Sequence, residues 1–248
     1  MTTDEAFLAD IEQYPRDPVP RLIYADWLEE RGRALGPVLR NECAAAEKMG
    51  WRKVFSVLDV QKAFGLIYTE EELQRLSTMS FHLQTLRECR YSHLLFPGHS
   101  LPLDTFLERT AAWAHRREPD NANLLRQSVE LRWHLVRHCI IREARDPSLD
   151  DMCEILEEDE QLPTGYELLT VVFLYRARMG NRLTLPFENT FVLCADTTNC
   201  GYPVYVGNFM CNSDCSSSFC VIDSISVDEV LRALVDLAPA RKPEIISV

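Results

Sequence analysis

The sequence predicts an α+β fold, mainly helical through its N-terminal and middle regions, with a small C-terminal antiparallel sheet covered by a helix. Three observations lead there. From residue 2 to about residue 180, apolar residues recur at helical spacing behind side-chain caps. After Gly180, β-branched and aromatic runs separated by turn residues take over. A last stretch, "SVDEVLRALVDLA", returns to an amphipathic helical period, with Ser226 and Glu229 placed to cap it. These changes divide the 248 residues into a helical-hairpin module at 1–48, a helical-bundle region at 49–180 and a Cys-rich β-meander plus helix at 181–248.

The first helix is announced by Thr2 and Glu5, a capping box in which two side chains satisfy orphan N–H groups of the opening turn. Phe7, Leu8, Ile11 and Tyr14 follow at helical spacing, and Pro15 ends the run. In "RDPVPRLIYADWLEERG", Asp17 is the cap and Pro18 occupies the first helical position, where no N–H is needed. Ile23, Tyr24, Trp27 and Leu28 are expected on one apolar face, with Asp26, Glu29 and Glu30 mostly opposite. Gly32 is suited to a left-handed C-cap. The connection between these helices is so short that they must pack antiparallel or at a steep angle. The three carboxylates have no His, Cys or Ser neighbour to work with, so this hairpin holds or docks. Trp27 reads first as a core anchor, and with Tyr24 it forms the aromatic pair that a docking partner would meet.

"FLADIEQYPRDPVPRLIYADWLEERG" resembles the short repeat-companion domain found at the N-termini of many planctomycete proteins. Phe7-Leu8, Ile11, Pro15, Asp17, Arg21-Leu22 and the block from Tyr24 to Gly32 carry the likeness, which covers residues 5–40. It implies a non-enzymatic accessory module and does not reach the rest of the chain.

In the middle, "TEEELQRLSTMSFHLQTLRECRYSHLLF" opens on a second capping box, Thr69 and Glu72, and reads as helix throughout. "LPLDTFLERTAAWAHRR" is expected to be capped by Asp104 or Thr105, with Phe106, Leu107, Ala111 and Trp113 buried. "NANLLRQSVELRWHLVRHCIIREARD" reads as a central helix. On such a helix Glu130, His134 and His138 would share one face, as two imidazoles and a carboxylate can for a cation. Leu135 stands where a zincin needs Glu, and Arg132 and Arg137 oppose a cation, so packed or surface histidines are the simpler expectation. Eight acidic residues and no basic ones lie between Asp150 and Glu167. Their core, Glu157, Glu158, Asp159 and Glu160, is either a solvated helix face or a surface for a basic protein partner. The Gly and alternating ligands of an EF-hand loop are missing.

The strands are expected within "RLTLPFENTFVLCAD", "YPVYVGNFMC" and "SSFCVIDSI". Five of the nine Cys lie here, and an odd count excludes complete disulfide pairing within one chain. Cys200, Cys211, Cys215 and Cys220 are the candidate zinc ligands, although no CxxC knuckle or nearby His supports them. Buried or free thiols, or a Cys-dependent enzyme, are the alternatives. "EQLPTGYELLTVVFLY", then strands, then "VIDSISVDEVLRALVDLA" is similar in order to SMI1/KNR4-type (SUKH) domains, through Leu162-Pro163, Tyr166, Ser224-Ile225 and Val230-Leu231. Met179-Gly180-Asn181 is shorter than the family's Gly-rich turn, and Ile and Val stand where its closing motif has aromatics. The resemblance implies a protein-binding fold used in toxin immunity and regulation, without catalysis.

A net charge of −12 argues against nucleic acid as a partner, since phosphate binding needs a positive footprint. "MTTDEAFLAD" lacks a basic n-region and an apolar segment, and the longest apolar run, "LLTVVFLY", is too short for a bilayer. A cytoplasmic location without membrane contact is expected. P-loop, G-x-S-x-G, dinucleotide and H-E-x-x-H motifs are all missing. The expectation is therefore a cofactor-free interaction or regulatory module, with a zinc-binding protein or Cys enzyme as the alternative.

Overall fold

The computed structural model describes residues 2–79, 81–110, 127–137, 161–179, 191–197, 203–209, 218–223 and 245–246. The chain is α+β and divides into two compact units, one of residues 1–100 with 130–135 and the other of residues 101–129 with 136–248. Among the described residues, no helix is long and apolar enough to cross a membrane.

The first unit is built on α3 (Leu35–Met49), against which α2 (Pro18–Glu29), α5 (Glu70–Thr78) and α6 (Leu83–Cys89) pack. α1 (Thr3–Gln13) lies on α2, and α4 (Val57–Phe64) lies near β1 (His93–Pro97). One core cluster joins Ile11, Tyr24, Ala25, Leu28 and Leu39; a second joins Ala45, Ala46, Met49, Val54, Leu86 and Leu95. Gly36 permits the close crossing of α3 over α2, since a Cβ there would stand 2.8 Å from the Ala25 carbonyl oxygen. The buried Glu42 side chain accepts from the Val57 N–H at 2.7 Å, so α3 serves the first turn of α4 from the interior.

Two of the expected side-chain caps form as capping boxes: Thr2 with Glu5 at α1, and Thr69 with Glu72 at α5. Asp17 caps α2 with Pro18 at its first position. At the other end of α2 the Arg33 N–H reaches the Leu28 carbonyl and the Gly32 N–H reaches that of Glu29, with Gly32 at φ 67°. This pair of bonds is a Schellman motif, closed by glycine because a Cβ penalises that conformation.

Two helical expectations are corrected. The stretch from Thr69 to Phe96 breaks into α5, α6 and β1, because "HLLFP" runs extended as far as Pro97. β2 (Trp133–Arg137), of which residues 133–135 belong to this unit, pairs with β1 where a central helix was expected. Burial alternates along β2, with His134 and Val136 buried and their neighbours half-buried. Glu130, His134 and His138 therefore share no helical face. His134 stacks on Phe96 at 5.0 Å, and its Nε2 donates to the Glu130 carbonyl at 2.8 Å. The Glu130 carboxylate pairs with Arg132 at 3.0 Å, and His138 lies outside the described residues.

His99, fully buried with its ring 5.5 Å from that of Phe64, makes this unit acid-sensitive. Burial above all, with His134 adding to it and Glu72 opposing it, pushes the His99 imidazole down from 6.5 to about 4. The unfolded chain binds a proton below pH 6.5 that the folded chain refuses until about pH 4, so stability falls with pH across that window. The expected loss is about 3 kcal/mol, from about 1.4 kcal/mol per pH unit. Urea titrations at pH 7 and 4 on the parent and on His99→Gln measure it. An unchanged pH slope in the variant would exclude His99 as the source.

The second unit contains α7 (Leu103–Thr110), α8 (Gly165–Met179) and a four-stranded sheet of order β5-β4-β3-β6. β3 (Phe191–Thr197), β4 (Pro203–Phe209) and β5 (Ser218–Asp223) form the expected antiparallel meander. The short β6 (Ile245–Ile246), which the sequence did not suggest, joins β3 in parallel. α8 contacts β3 and β4, while the covering helix expected near Ser226 and Glu229 lies outside the described residues. α7 begins at Leu103, before the expected caps, and Asp104 instead accepts from Thr105 within its first turn. Tyr166 is 2 % exposed; it donates to the Leu101 carbonyl at 2.7 Å and meets Phe106 edge-on.

Candidate functional site

The α1–α2 hairpin carries the candidate site. Phe7, Tyr24 and Trp27 form a three-ring cluster with centroids 5.1 to 6.0 Å apart. Tyr24 is the inner member, 4 % exposed, and its hydroxyl donates to Asp4 at 2.8 Å. Burial, with the Asp4 bond adding to it, holds that hydroxyl well above the usual phenol range. Tyr24 thus supports the surface from beneath. Trp27 is half-buried, and the Arg31 guanidinium lies over its ring at 4.0 Å while Nη1 donates to the Trp27 carbonyl at 2.9 Å.

Ile23 departs from the sequence expectation. It is 52 % exposed, and Val19, one turn earlier, is 54 % exposed. The reason is angular. Tyr24 and Leu28 define the buried side of α2, and Ile23 is rotated from Tyr24 by about 100° in the direction away from Leu28. Val19, Ile23, Trp27 and Arg31 fall four residues apart, so they form one slanting ridge on the outside of the helix. Leu8 and Tyr14 of the same hairpin are also exposed. A count of apolar residues along α2 does not capture that drift around the helix axis.

A carboxylate rim borders the ridge. Asp26, Glu29 and Glu30 are exposed, as expected. Arg40 of α3 pairs with Asp26 and, at 2.6 Å, with Glu29; Arg31 lies 3.6 Å from Glu30. Pairs this exposed contribute about 0–1 kcal/mol each and open readily for a competing cation. Arg21 is turned inward instead, 5 % exposed, over the Trp51 ring at 4.5 Å and bonded to the Pro15 carbonyl at 3.0 Å.

The chain matches no protein-family model, no curated protein and no solved structure. The remaining sequence candidates are placed as follows. Glu157, Glu158, Asp159 and Glu160 lie outside the described residues, as do Cys200, Cys211 and Cys215. Cys220 sits in β5, paired with Gly207 of β4. Among the described residues, no three His, Cys, Asp or Glu side chains cluster as metal ligands would. Cys194 is fully buried, and burial above all pushes the Cys43 thiol up to about 11, which disfavours the thiolate a nucleophile needs.

Proposed function

We propose that this chain is a non-enzymatic, cytoplasmic protein-interaction module whose α2 ridge docks an amphipathic helix with a basic rim. The observation that carries this is the half-exposure of Val19 and Ile23 beside the Arg31-capped Trp27. Charge selects the partner's chemistry. Between Thr2 and Arg33 the sequence holds eight carboxylates and four arginines, one of which, Arg21, is buried. The net charge of −12 disfavours nucleic acid and anionic lipid and favours a Lys- or Arg-rich protein segment. The resemblance to SUKH domains implies a binding role, and that to repeat-companion domains a non-enzymatic accessory one.

Full burial of a Val or Ile side chain contributes about 1.5–3 kcal/mol, so covering the exposed halves of these two supplies about 2 kcal/mol. Their loss should weaken a complex about thirtyfold. The test uses a synthetic helical peptide with leucines at i, i+3, i+4 and i+7 flanked by lysines, and a control with glutamates flanking the same leucines. In NMR titrations of the intact chain, the lysine peptide should shift the Val19 and Ile23 methyl signals, more weakly as salt rises. The paired change Val19→Glu and Ile23→Glu should abolish binding with little effect on stability. Equal binding of both peptides, or unchanged binding by the double variant, would refute the proposal.

A further inference from the structure

A second surface of the first unit has the opposite charge. An open groove of about 420 Å³ lies between α3 and α6, lined by Glu47, Lys48, Leu83, Gln84, Arg87 and Arg90. In a chain of net charge −12, it gathers three cations and one carboxylate. That carboxylate is already engaged, since Glu47 pairs with Lys48 at 2.7 Å. Gln84 Nε2 donates to Glu88 at 2.7 Å. Arg87 makes no ion pair among the described residues. Arg90 has its guanidinium over the Tyr91 ring, 4.4 Å from the centroid.

Each cation has a local reason to stand near a helix C-terminus, where the backbone dipole favours positive charge. That reason explains them singly. It does not explain why two helices converge so that Lys48, Arg87 and Arg90 border one groove, where they repel one another until an anion arrives. Arg87 and Arg90 are three residues apart and share a face, and their planar forks suit carboxylates. Leu83, 44 % exposed, offers apolar contact for the stems of acidic side chains. The volume is within the range of ligand-sized sites.

We infer that this groove is a binding site for an Asp/Glu-rich peptide segment, separate from the α2 ridge and independent of what the ridge binds. The probe is a fluorescein-labelled peptide of alternating Glu and Leu, with a Gln-for-Glu version as control, titrated into the full chain and read by fluorescence anisotropy. The Glu peptide should bind at least tenfold more tightly than the Gln peptide, and more weakly as salt rises. Arg87→Glu with Arg90→Glu should weaken it at least tenfold, while Arg75→Glu, an exposed cation of α5 outside the groove, should leave it unchanged. Circular dichroism of each variant verifies that the fold is kept. Equal effects of Arg75→Glu and the groove variants would show unspecific attraction and overturn the site. Displacement of the peptide by low-millimolar inorganic phosphate would overturn the peptide assignment in favour of a general oxyanion site.

Discussion

Gly98→Ala is expected to lower stability by about 4 kcal/mol or more, a larger effect than a methyl added at Gly32, Gly36 or Gly50. A Cβ at residue 98 would overlap the Glu130 carbonyl oxygen and stand 2.8 Å from its carbon and 2.9 Å from His134 Nε2. Two of those three atoms are backbone, so no rotamer change relieves the overlap. The residue is also held on both sides, its N–H donating to the Arg132 carbonyl at 2.7 Å and its carbonyl accepting from Tyr68 at 2.9 Å. At about 2–4 °C per kcal/mol, the variant should melt more than about 10 °C below the parent, or fail to accumulate as folded protein. Gly32→Ala provides the comparison. It has a positive φ of 67° but open space around the added methyl, and should cost only about 1–2 kcal/mol. A Gly98→Ala chain that melts within 3 °C of the parent (less than about 1 kcal/mol) would contradict the close approach of residues 98 and 130.

Leu28→Ala is expected to cost about 2–5 kcal/mol. Leu28 is 1 % exposed among Ile11, Tyr24, Ala25 and Leu39, the cluster that joins the hairpin to α3. Truncation removes its buried methyls and leaves a cavity that Gly36 constrains, since α2 and α3 already meet there at backbone distance. Ile23→Ala, five residues earlier on the same helix, should change stability by about 0.5 kcal/mol or less because its side chain is half in solvent. Urea unfolding followed by tryptophan fluorescence compares the two. Similar losses for both would place Ile23 in the core and remove the ridge on which docking depends.

What was legible in the sequence was local chemistry. Thr2 with Glu5, Thr69 with Glu72, Asp17 with Pro18, and Gly32 each work within one helical turn, so their residue types announce their geometry. The meander of β3, β4 and β5 was legible because turn residues separate alternating runs. β1 and β2 were not. "HLLFP" and "WHLVR" suit either period, and their pairing joins segments about 40 residues apart, a tertiary choice that overrides local preference. The ridge was half legible: Trp27 was singled out, while Val19 and Ile23 needed the observed orientation of α2. The α3–α6 groove had no sequence signal, because Lys48 and the Arg87–Arg90 pair come from separate helices.

The irregular register of β3 between Leu193 and Thr197 has a consequence for how the second unit loses its structure. Within that interval Asp196 accepts from the Gly165 N–H at 2.5 Å, and the Ala195 N–H donates to the Pro163 carbonyl at 2.8 Å. Thr164 and Glu167 close the first turn of α8 around the same point. The helix start and the strand irregularity are therefore tied to each other by two hydrogen bonds. Deleting a single residue between 193 and 197 would reverse the strand's facing and leave α8 without its foreign cap, so the length of that interval constrains the chain together with Asp196 inside it.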